Sequence, residues 1–133
     1  MLKYIIILLS FVTSFTVLAE SECKSAEQFL ALNQKSIQDQ HEIFKKAYLK
    51  ALGTSLTEAY PKESTRPKKG AALENFVRDF NKKLGNDIHP LVVLGALNNQ
   101  ITRLNNAIKD NSESACKDNL SSLKNRWENL TKR

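Results

Sequence analysis

The chain has 133 residues, a formal net charge of +6, 41% apolar and 26% charged side chains, and only two cysteines, two histidines and one tryptophan. This is one folding unit of ordinary globular composition, and it argues against a multidomain enzyme, a disulfide-dense mini-protein, a disordered chain or a zinc site with several cysteine ligands. At this length about two-thirds of the unfolded surface can be buried, so a real core is available.

Residues 1–19 read as a cleavable export signal. Met1-Leu2-Lys3 is a short positive start, Tyr4 to Leu18 an apolar stretch, and Val17-Leu18-Ala19 a small-residue cleavage site. As a helix the apolar stretch rises about 22 Å, short of the roughly 30 Å hydrocarbon core that a membrane anchor must span. Residues 20–133 then form a single helical domain of net charge +5, placed in a periplasm or outside the cell. Two lone cysteines tend to pair there, and Cys23–Cys116 is the expected disulfide.

The first predicted helix covers about 25–52. Ser25 and Gln28 have the spacing of a capping box, and Ala26, Leu30, Ile37, Phe44, Tyr48 and Ala51 recur on one face. Leu32 and Ile43 fall on the opposite side and read as scattered surface apolars. From Gly53 to Gly70 the pattern stops, and Pro61, Pro67 and the polar run between them predict a long connection. A second helix over 71–84 follows from Leu73, Phe76, Val77, Phe80 and Leu84, with Gly85 as its stop. The third, over 90–110, has Pro90 in its first turn and a seam of Leu94, Leu97, Ile101, Leu104 and Ile108. The fourth, over 113–131, repeats Cys116, Leu120, Leu123, Trp127 and Leu130 at spacings of four and three. With no strand pattern anywhere, the expectation is an all-α four-helix bundle, with one long crossover connection between helices 1 and 2, stapled by one disulfide.

The disulfide constrains this topology. It brings together the N-terminal ends of helices one and four, which a plain up-down-up-down bundle places at opposite poles. A crossover along helix one resolves the conflict, because residues 53–70 are long enough to return along its whole length. A helix one bent near Asn33–Gln40 and an intermolecular disulfide are the alternatives.

No nucleophile and base occur in a recognisable motif, and a paired cysteine cannot act as a nucleophile, so no catalytic residue and no enzyme are predicted. His41 and His89 have no second ligand at metal spacing, and no metal or cofactor is expected. His41, at the edge of the helix-one seam, reads first as a boundary histidine bonded to a neighbour, and second as a pH sensor. Asn98 and Asn105, one heptad apart beside the third seam, read as a polar boundary face. The charge is uneven: residues 20–60 carry −1, residues 61–90 carry +3 and residues 91–133 carry +3. Lys62, Arg66, Lys68 and Lys69 concentrate in the connection and Lys82 and Lys83 end the second helix, a set that can steer an acidic partner. Nucleic acid is not the expected partner, since no aromatics interleave with the basic residues.

Cys23 with Phe29-Leu30-Ala31-Leu32, and Ala115-Cys116 opening a last helix that carries Trp127-Glu128, resemble the two ends of the small acid-activated periplasmic chaperones. The likeness is confined to those ends and does not extend over the long first helix or the basic connection. It implies a stress chaperone in which His41 and the 14 carboxylates respond to pH. The primary reading is an exported, non-enzymatic protein of the immunity or inhibitor type, which binds another protein through the basic connection and an adjoining helix face. A stress chaperone, a secreted effector and a small-ligand carrier are the alternatives.

Overall fold

The computed structural model describes residues 21–132, so the export signal read in residues 1–19 lies outside the described residues. The first helix, α1 (Glu22–Ala59), has 38 residues and is therefore about 57 Å long. It starts earlier than the Ser25 signal: Ser21 is the N-cap, and its Oγ accepts the Lys24 N–H at 3.0 Å. It also runs through Gly53. A glycine inside a helix costs about 1 kcal/mol and does not end one when the apolar stripe continues, as Tyr48, Leu52, Leu56 and Tyr60 do at four-residue intervals. Thr54 and Thr57 turn their hydroxyls back onto the Lys50 and Gly53 carbonyls, which satisfies the hydroxyls within the helix. A methyl group at Gly53 would meet nothing within 4 Å. Gly53→Ala is therefore expected to stabilise the upper half of α1 by about 0.5–1 kcal/mol, read as amide exchange at residues 48–60 slowed roughly two- to fivefold.

The connection is correspondingly shorter than expected and is ordered. It holds a 3-10 turn, Glu63–Thr65, and Arg66 closes it: its Nε donates to the Tyr60 carbonyl at 2.8 Å and its Nη2 to the Pro61 carbonyl at 3.1 Å. The second helix, α2, consists of three joined segments: Ala71–Leu84, a 3-10 turn Gly85–Ile88, and His89–Lys109. α3 (Glu113–Thr131) completes the described chain.

Cross-helix partners fix the directions. Tyr60 meets Phe76, Tyr48 meets Phe80, His41 meets Asn98, and Cys23 Sγ lies 3.9 Å from the Ala107 carbonyl. Falling positions on α1 thus pair with rising positions on α2 along its entire length, so both long segments of α2 run antiparallel to α1. At its lower end Asn111, with φ of 53°, sits in the left-handed conformation. Ser112 N–H bonds the Ala107 carbonyl and Asn111 N–H the Ile108 carbonyl, a Schellman turn that sends α3 back up the bundle.

The four-helix bundle with a crossover is therefore corrected, among the described residues, to three helices in an up-down-up order. Gly85 and Pro90 are helix breakers that do not reverse the chain. Gly85, with φ of 54°, ends the upper segment, the 3-10 turn carries the chain onward, and Pro90 enters the lower segment in its first turn, where no N–H is needed. The conflict over the disulfide disappears with this count. The N-termini of α1 and α3 lie at the same pole, and Cys23–Cys116 joins them within one chain with a Cα–Cα distance of 5.0 Å.

The core sits wholly in the lower half, where three helices meet. Ile37, Leu94, Leu97, Leu104, Cys116 and Leu123 are fully buried there. α3, with 19 residues, rises only about 28 Å and ends beside the middle of α1. Above it α1 and the upper segment of α2 continue as a two-helix arm, residues 45–84, in which no side chain is fully buried.

Candidate functional site

The arm carries an apolar face on which no side chain is fully buried. Leu73, Phe76, Val77, Phe80 and Leu84 make a clear stripe, yet each is only half-buried, as are Tyr48, Leu52, Leu56 and Tyr60 across from them. The helices touch through large rings. Tyr48 and Phe80 pack edge to face with centroids 5.8 Å apart, and Tyr60 and Phe76 are tilted at 6.1 Å. The Tyr48 hydroxyl donates to Asn81 Oδ1 at 2.6 Å, which fixes the register.

The arm also carries the entire positive excess. Residues 45–84 hold ten Lys and Arg against four Asp and Glu, a net charge of +6, while the remaining described residues sum to −1. The six basic residues singled out in the sequence do not form one cluster. Lys62, Lys68 and Lys69 are exposed at the tip. Arg66 stands with them but spends its guanidinium on the Tyr60 and Pro61 carbonyls, so it is a brace of the connection. Lys82 and Lys83 are exposed at the foot, in the last turn of their segment, where the helix dipole favours cations. The Tyr48–Asn81 register sets them level with Lys45, Lys46 and Lys50 of α1, three residues that counting charge along the chain had assigned elsewhere. No arm lysine takes part in an ion pair among the described residues.

At the foot of the arm, α3 ends against two open clefts. One, of about 540 Å³, is lined by Phe44, Pro90, Leu94, Trp127 and Leu130, with Ser36, Gln40 and Thr131 at its polar edge. The other, of about 390 Å³, lies on the far side of Leu130 between His89, Val92, Val93 and Arg126. Sequence periodicity identified Trp127 and Leu130 only as seam residues. Their position at the end of α3 beside Phe44 depends on where the arm begins.

His41 is half-buried with Nδ1 2.6 Å from the Asn98 amide, and its Nε2 lies over the backbone at Gly95. Asn98 thus belongs to the α1–α2 contact, whereas Asn105 is exposed. The buried Asn98 Oδ1 and Gln100 Oε1 have no hydrogen-bond partner among the described residues. Leu32 and Ile43 are 81% and 59% exposed and stand apart from the arm's seam. Among the described residues no group of three or more His, Cys, Asp or Glu is placed to hold a metal ion, and no helix is long and apolar enough to cross a membrane.

Fold and site together define, over the described residues, a disulfide-stapled all-helical protein with a basic two-helix arm. No protein-family model matches the chain, and neither the curated proteins nor the solved structures compared with it give a match.

Proposed function

We propose that this is an exported, non-enzymatic binding protein of the inhibitor or immunity type, acting in a periplasm or outside the cell, whose arm captures an acidic partner protein. The observation that carries the reading is the coincidence on one element of a half-buried apolar seam and the whole positive excess of the chain. A base that holds every fully buried residue among those described, and the disulfide, acts as the rigid support. Binding surfaces combine apolar contact for affinity with charge that steers encounter, and the arm has both.

Site-directed photocrosslinking tests this. A crosslinking side chain placed at Lys69 or Phe76 on the arm is expected to yield one discrete adduct in the exported fraction of the native host, and one placed at Lys117 or Lys124 on the base none. Adducts from the base alone, or none from either, would refute the assignment. A smear of many adducts at low pH would favour the chaperone reading instead. Reversing Lys62, Lys68 and Lys69 to Glu is expected to weaken arm capture about tenfold or more at low ionic strength, and much less at about 0.5 M salt.

A further inference from the structure

Building on the arm as the binding element, we propose that its occupant is an acidic amphipathic helix of the partner, lying along the seam as a third helix and continuing the line of α3. In the base, α3 fills the groove between α1 and α2 with Leu120, Leu123, Trp127 and Leu130, and Leu94, Leu97 and Leu123 are sealed from solvent as a result. α3 stops at Thr131, beside the cleft formed by Phe44, Pro90, Trp127 and Leu130. That cleft is where the space between α1 and α2 is left open at the end of α3.

Above the cleft the stripe on α2 is wider than its single neighbour can cover. At 100° per residue Leu73, Phe76, Val77, Phe80 and Leu84 spread over an arc of about 100°. A face of that width suits a helix with two neighbours, and here only α1 is present. The uncovered length, residues 45–59 of α1, is about 22 Å, which calls for an occupant of about fifteen residues with apolar anchors at i, i+3, i+4 and i+7.

Charge selects the occupant. A second copy of this chain would bring one arm of +6 against another. Lys45 on the seam face of α1 and Lys83 at the edge of the α2 stripe, both at the foot, and Lys62, Lys68 and Lys69 exposed at the tip, instead match a helix carrying Asp and Glu toward its two ends. An anionic membrane would match the charge, but a flat surface cannot reach between two helices joined by ring contacts.

The probe is a synthetic amphipathic peptide of about eighteen residues with leucines at i, i+3, i+4 and i+7 and glutamates flanking them, compared with the same peptide bearing lysines. It is titrated into the oxidised protein, with Trp127, the single tryptophan, as the fluorescent reporter at the foot of the groove. The glutamate peptide is expected to become helical, change Trp127 emission and shift amides of residues 44–60 and 71–84. Val77→Glu, at a half-buried position, is expected to weaken it about tenfold or more while base amides stay in place. Equal binding of the lysine peptide, shifts confined to the base, or no binding at about 1 mM would overturn the proposal. So would arm shifts produced only by phosphatidylglycerol vesicles, or a self-association that covers the arm. If the peptide fails while arm crosslinking still captures a discrete protein, the helical occupant is wrong and the binding function stands. If the peptide binds and crosslinking captures nothing, the arm's preference for an acidic helix stands and its capture of a protein in the exported fraction does not.

Discussion

Replacing both Cys23 and Cys116 with alanine is expected to remove about 4–5 kcal/mol of stability, the loop-closure entropy of a cross-link spanning 93 residues. For a domain of this size that is a fall in Tm of about 20 °C or more, and it takes away a large share of a typical total of roughly 5–15 kcal/mol. The remaining ties between the two N-termini are few. The Glu113 carboxylate accepts the Glu22 N–H at 2.7 Å, a charge-assisted bond at the positive end of α1. Both cysteines are almost wholly buried, so alanine is the cleaner replacement, since serine would add an unsatisfied hydroxyl. The measurement is the denaturant midpoint of the double variant against the oxidised protein. A loss below about 1 kcal/mol would show that packing of Ala26, Leu30 and Ala107 holds the pole without the bridge.

The cysteine pairing was legible because only two cysteines exist, and the seams of 71–84, 90–110 and 113–131 were legible because each repeats at helical spacing within its own segment. The direction of one segment against the next was not. Gly85 and Pro90 mark where regular hydrogen bonding lapses, and both a reversal and a continuing 3-10 turn use the same residues. Gly53 misled for a related reason: as punctuation it outweighed Leu52, Leu56 and Tyr60, whose four-residue spacing carries the helix onward. The candidate site was legible in part. Lys62, Lys68, Lys69, Lys82 and Lys83 are on the arm, but Arg66 is occupied by backbone carbonyls, an interaction no sequence spacing announces. Lys45, Lys46 and Lys50 join the site only once α1 and α2 are paired, because charge adds over surfaces rather than along the chain.

Leu97→Ala and Phe80→Ala are expected to differ in kind as well as in size. Leu97 is fully buried among three helices, so its truncation removes apolar burial and leaves a cavity, at a cost of about 3–5 kcal/mol in the unfolding of the whole base. Phe80 is half-buried on an arm open to solvent, so water fills the space it vacates. The loss there is part of its transfer energy and its edge-to-face contact with Tyr48, together about 1–2 kcal/mol. That loss is expected to fall on the arm alone. Amides of residues 48–60 and 71–84 would exchange roughly five- to thirtyfold faster, and the denaturation midpoint of the base, read through Trp127, would hardly move. An equal shift of both signals would show that arm and base open as one cooperative unit. The separation follows from where the chain places its buried residues: every fully buried side chain among the described residues lies below the end of α3, so opening the arm exposes only surface that is already partly exposed. The base closes its seam with α3, and the helical occupant proposed for the arm would close the arm's seam in the same way.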